Sequence, residues 1–253
     1  MAKSSKSSRT TRTERQKVVE EMRARQKAAE RRRGGIIVAA CVLVAVGIIV
    51  AAAWGPVVDH FRTSKYSGKP LEQIGAPASA CQKATTKPAT GNQQHLPDGA
   101  PVSYPDSPPA FGEHYIDPDP MARKFYTAQD RPALGTLVHN EEHGYSILWY
   151  DDSVPGDDDQ MSQFRAIAYK FSGTTDLRHK FKAVPWTSKD GKPFPDGQHI
   201  AFTHWSVGGT QNAAAGQAKQ VGVWQYCSSV SGAALQTFMT DYPYSDSPEP
   251  NGM

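Results

Sequence analysis

Residues 34–58 read GGIIVAACVLVAVGIIVAAAWGPVV, and the reading of this stretch divides the chain. No charged residue lies between Arg33 and Asp59. A bilayer core about 30 Å thick is crossed by about 20 apolar residues rising about 1.5 Å each, so the run is long enough to span it. Arg31, Arg32 and Arg33 abut its start, and an excess of positive charge marks the cytoplasmic end of a span. Trp54 sits near the far end, where an amphipathic indole favours the interface. Ala51, Ala52 and Ala53 mimic a signal-cleavage site, but cleaved signals have short basic leaders and apolar cores of about 7–15 residues. The run therefore predicts a signal anchor: a single-pass protein of the cell membrane, with its N-terminus cytoplasmic and its main domain extracytoplasmic.

Upstream of the span, residues 1–33 hold twelve Lys/Arg and four Glu, a net of +8. The whole chain carries only +3, which leaves −5 on the remainder. Such a basic head sets topology and touches anionic lipid, so a membrane is the expected partner and nucleic acid is not. Residues 1–12, rich in Ser, Thr, Lys and Arg, are expected to be disordered. Thr13 to Arg33 consists of good helix formers with few apolar residues and reads as a solvated helix.

Downstream, residues 59–80 mix Ser, Gly, Pro and Lys without a period and read as a linker. The predicted organisation is thus a basic tail (1–33), a transmembrane helix (34–58), a linker (59–80) and an extracytoplasmic domain (81–253). Between Cys81 and Tyr126, Pro97, Pro101, Pro105, Pro108, Pro109, Pro118 and Pro120 forbid a long helix and predict extended, loop-like chain. Beyond it, Tyr145–Tyr150, Phe181–Val184 and Ile200–Ser206 read as strands. Asp159–Phe171 places Met161, Phe164, Ile167, Ala168 and Phe171 at helical spacing, with Asp157, Asp158 or Asp159 as caps. Ser231–Tyr242 does the same with Ala234, Leu235, Phe238 and Met239, capped by Ser228, Ser229 or Ser231. This mixture predicts an α+β, or small α/β, domain with few strands. Cys81 and Cys227, the two cysteines outside the span, are expected to form one disulfide, and Cys41 to be an apolar residue of the span.

The chemistry gathers upstream of the first clear strand, where His95, His114, His139 and His143 fall within about fifty residues. Positions i and i+4 share a helix face, so His139 and His143 could reach one ion. Imidazole is the commonest transition-metal ligand, and Glu142 adds a carboxylate. The order His139-x-x-Glu142-His143 also matches an inverted zinc-protease motif with the Glu as general base. Its context differs, since Gly144 and a strand pattern follow at once and leave one helical turn for the motif. His204 on a predicted strand reads as a hydrogen-bonded core or rim histidine ahead of a distant fifth ligand, and His179 as solvent-facing. There is no Gly-rich phosphate loop, no Gly-x-Ser-x-Gly elbow and no Cys-x-x-Cys pair. Asp157–Asp159 lacks the alternating spacing of a calcium loop.

Several of these residues fall in one order: His95, Tyr104, Pro108-Pro-Ala-Phe-Gly-Glu-His-Tyr115, Tyr126, His139-Asn-Glu-Glu-His-Gly144, Trp205 and Pro248-Glu249. The order resembles the bacterial domain of unknown function 3105, from about residue 80 to the end. Phe111 stands where that family has Ser, and Glu141 where it has Leu. The resemblance implies a membrane-anchored or secreted domain and selects the four histidines. It supplies no reaction, and the loss of the Ser hydroxyl leans towards binding and away from nucleophilic catalysis.

Three functions are carried forward. In the first, a tethered domain binds copper or zinc through His95, His114, His139 and His143, with Glu142 as a ligand or as an orienting carboxylate. The absence of a well-placed Met or Cys disfavours copper(I), although Met121 is near in sequence. In the second, the histidines form a hydrogen-bonded core in a non-catalytic module that meets a protein partner at the cell surface. In the third, a metal-dependent hydrolase uses Glu142 as its base.

Overall fold

The strand Ser146–Tyr150 alternates Ile147 and Trp149 with Leu148 and Tyr150, and all five of its residues are buried. Period-two alternation with apolar groups on both sides requires cover on both faces of a sheet. The computed structural model, which describes residues 4–89, 94–209 and 219–252, supplies that cover.

In chain order the described elements are α1 (Ser4–Ser64), β1 (Thr85–Pro88), β2 (His95–Leu96), β3 (His114–Tyr115), α2 (Leu134–Glu142), β4 (Ser146–Tyr150), α3 (Asp158–Lys170), β5 (Phe181–Pro185), β6 (Ile200–Ser206), β7 (Val221–Cys227) and α4 (Gly232–Asp241). Five strands form a mixed sheet in the order β1-β7-β6-β4-β5. Its pairings are antiparallel except β4 with β5, which α3 connects as a βαβ unit. The fold is α+β. One face, carrying Leu148, Tyr150, Phe202 and Val223, packs on Phe164 and Ile167 of α3 and Leu235 and Phe238 of α4. The opposite face, carrying Ile147, Trp149, Val184 and Ala201, packs on Leu137 of α2. Beside it, Trp205 and Trp224 pack with Val138, Ala110 and Phe111.

Both helix caps are among the residues expected for them. Asp157 accepts from the Asp159 and Gln160 amides at the head of α3, and Ser231 accepts from the Ala234 amide at the head of α4. Cys81 and Cys227 form a disulfide 146 positions apart, between the entry to β1 and the end of β7.

The chain divides into two units, 1–58 and 59–253. In the first, the apolar run lies in α1, which is long and apolar enough to cross a membrane. Ile36, Leu43 and Ile49 stand uncovered on it, as lipid-facing side chains do.

Four expectations need correction. Helix α1 begins at Ser4, inside the segment expected to be disordered, because extending a helix past its nucleus costs little per residue. The segment 59–80 is not a loose linker throughout: Tyr66 and Ile74 are buried in the core beneath α3 and α4. The motif before β4 occupies a nine-residue helix, α2, and not a single turn. Strands β1 and β7 add to the three expected in the sheet, and β7 lies next to its centre.

Candidate metal centre

Two short strands and one helix build the site. β2 and β3 run parallel with His95 opposite His114 and Leu96 opposite Tyr115. The His114 amide donates to the Gln94 carbonyl at 3.2 Å and the Ile116 amide to the Leu96 carbonyl at 3.2 Å, which sets the two imidazoles side by side. Helix α2 lies against this pair and brings His139 and Glu142 to it. Gly144, at φ +87°, turns the chain out of the helix, and His143 is the capping residue between.

The histidine tautomers follow from their partners. His114 Nδ1 lies 2.8 Å from the Gly112 carbonyl, and His139 Nδ1 lies 2.6 Å from the Tyr115 carbonyl. A carbonyl oxygen only accepts, so both Nδ1 atoms carry a proton and both rings turn Nε2 inward. His114 Nε2 stands 2.9 Å from Glu142 Oε2, and His95 Nε2 stands 3.6 Å from the same oxygen. His114 and Glu142 are fully buried and His139 nearly so, whereas the His95 side chain is 39% exposed and opens the cluster to solvent. One donor atom from each of His95, His114, His139 and Glu142 lies within 4.8 Å of all the others, so this buried group could bind a metal ion.

His143 sits at the edge of that group. Its Nε2 is 3.0 Å from His139 Nε2 and 3.5 Å from Glu249 Oε2. Burial pushes the His139 imidazole below its ordinary value and takes His143 down to about 4, so both rings are neutral donors at pH 7. Glu142, His143 and Glu249 form a second set of donors within 4.8 Å of one another. All five residues expected from the sequence are therefore brought together, but His143 stands with Glu249 as well as with His139.

Two residues of the site escape a reading of the sequence. Glu249 stands there only as part of the Pro248-Glu249 pair, more than a hundred positions from His143, where no local spacing marks it as a ligand. Lys180 is buried, and its ammonium donates to the carbonyls of His143 at 2.7 Å, Pro250 at 2.9 Å and Gly252 at 2.7 Å. Burial lowers it to about 8. It fastens the C-terminal segment against the cluster, and nothing in its neighbours Arg178 and His179 signals that.

The other candidates lie elsewhere. His204 is buried with its ring nitrogens 3.2 Å from the Tyr145 carbonyl and 2.9 Å from the Asp246 carbonyl, as a core histidine would be. His179 is a third exposed, against Phe171 and the Ser172 carbonyl. Glu141, next to the cluster in sequence, faces the sheet: it is fully buried towards the Thr203 hydroxyl, and burial pushes its carboxyl well above the ordinary value.

The chain has no match among curated proteins or solved structures. Residues 95–252, which begin at His95 and end beyond Glu249, match the family model described as "Protein of unknown function (DUF3105)". The match takes in every residue of the cluster and more than half of the chain, and the protein belongs to the DUF3105 family.

Proposed function

We propose that this protein is a membrane-tethered, extracytoplasmic metal-binding domain that takes copper(II) or zinc on His95, His114, His139 and Glu142. One observation carries the reading: two buried imidazoles, each locked by a backbone carbonyl on Nδ1, aim Nε2 into a group that contains a buried carboxylate. Lone pairs facing a carboxylate repel unless a cation or proton lies between them, and carbonyl-fixed Nδ1–H groups are the usual support for Nε2 metal ligands. Three imidazoles and one carboxylate suit zinc or copper(II), and no thiolate stands in the group to favour copper(I). When bound, such an ion supplies a Lewis-acid or redox centre. The protein's own part is to fix the donors and to exclude water from all but the His95 side.

The hydrolase reading is less well supported. A general base must be free to take a proton from water, and Glu142 is fully buried 2.9 Å from His114 Nε2. The extracytoplasmic placement is supported by the Cys81–Cys227 disulfide, which persists in oxidising compartments, and by the arginines before the apolar run.

The test is metal content. The full chain, untagged and in detergent, is dialysed against zinc or copper(II), freed of excess, and analysed for metal beside a His114→Ala/His139→Ala variant whose fold is checked by near-ultraviolet circular dichroism. Stoichiometric metal in the native chain and its loss from the folded variant are expected. A native chain that retains no metal overturns the reading, and the histidines then form a hydrogen-bonded core.

A further inference from the structure

The six donor residues of the cluster are more than one ion can use. Zinc takes four ligands, sometimes five, and its bonds of about 2.1 Å limit the separation of any two to about 4.2 Å. Here the donors fall into two sets, His95–His114–His139–Glu142 and Glu142–His143–Glu249, and Glu142 belongs to both. We propose that a second divalent transition-metal ion binds on His143, Glu249 and Glu142, so that the Glu142 carboxylate bridges two ions. The proposal rests on the metal-binding reading above and extends it from a one-ion to a two-ion centre. Two ions held about 3.5–4 Å apart by shared ligands are a recurring arrangement in metalloproteins.

The second set is built into the fold. The Glu249 amide donates to the Glu142 carbonyl at 2.9 Å, which seats the C-terminal segment directly over the bridging residue. The Lys180 ammonium binds the carbonyls of His143, Pro250 and Gly252. One buried cation thus ties the histidine to the residues on either side of Asn251 and uses none of the side-chain donors. Gly252 packs so closely on His143 that a Cβ there would lie 2.5 Å from the ring.

His143 also differs from the structural histidine of the core. His204 has a carbonyl at each ring nitrogen. His143 Nδ1 is buried without a hydrogen-bond partner among the described residues, and Nε2 makes the polar contacts, to His139 and Glu249. Glu249 is half exposed, so the second ion would be the one nearer solvent.

The test counts ions. The full chain in detergent is loaded with zinc, freed of excess and analysed beside Glu249→Gln, which keeps the main-chain bond to Glu142 and alters a half-exposed side chain. Two ions per native chain and one per Glu249→Gln chain are expected. Loading with copper(II) gives an independent readout, since coupling through a shared carboxylate weakens the paramagnetic resonance of the native chain, and Glu249→Gln restores the full signal of one copper. One ion in both proteins overturns the two-ion centre and leaves the metal-binding reading standing. Two ions in both overturns the role of Glu249, and none in either overturns both readings.

Discussion

Replacing Glu141 with Leu is expected to stabilise the domain, and by more as the pH rises. The Glu141 carboxyl is fully buried between α2 and the sheet, facing the Thr203 hydroxyl, which accepts from Trp149 Nε1 at 2.8 Å. A buried polar group so poorly served costs about 1–3 kcal/mol, which a Leu of similar volume removes. Burial also raises the carboxyl well above its ordinary 4.5. Above that pH the unfolded chain has released the proton while the folded domain still holds it. The contribution of Glu141 to stability therefore falls with rising pH, by about 1.4 kcal/mol per unit, until the raised value is passed. The Leu variant lacks this contribution, so the gap between the two proteins widens as the pH rises. Urea unfolding of metal-free residues 59–253 at pH 5, 6, 7 and 8 measures both effects. A variant that is less stable at every pH, or whose curve runs parallel to that of the native domain, would refute the reasoning.

Three further outcomes are expected. A Cys81→Ser/Cys227→Ser chain frees a loop of 146 positions and loses about 5 kcal/mol on the loop-entropy account, readable as a lower urea midpoint; a loss under about 1 kcal/mol would contradict it. Lys180→Met removes two bonds to the C-terminal segment and the one that anchors them at His143, so limited proteolysis should cut residues 243–252 faster than in the native chain, and an equal rate would show that the segment is held by other contacts. Alkaline extraction should leave the full chain with the membrane and release a chain lacking residues 1–58; release of the full chain would argue against a span.

The elements legible in the sequence are short β-rich runs bounded by breakers and helices with apolar groups at regular spacing. The strands at 146–150, 181–185 and 200–206 are runs rich in aromatic and branched residues, and helices α3 and α4 carry apolar groups at helical spacing behind ordinary Asp and Ser caps. Helix α2 is hidden because its period is not apolar. His139, Asn140, Glu141 and Glu142 are all buried, and Gly135 weakens the helix by about 1 kcal/mol against Ala. Strand β7 is hidden by Gly222, which interrupts its β-branched and aromatic run. The four histidines can be grouped because they lie within about fifty residues. The partner of His143 cannot, because tertiary structure alone carries the C-terminal segment back to it.

X-ray absorption at the metal edge of the zinc-loaded full chain tests the central claim most directly. The account predicts a shell of nitrogen and oxygen at about 2.0–2.1 Å with outer imidazole scattering, about three imidazoles per zinc with the first ion alone and about two on average with both bound, reduced in His114→Ala/His139→Ala. Zinc surrounded only by light oxygen atoms, without imidazole scattering, would contradict it.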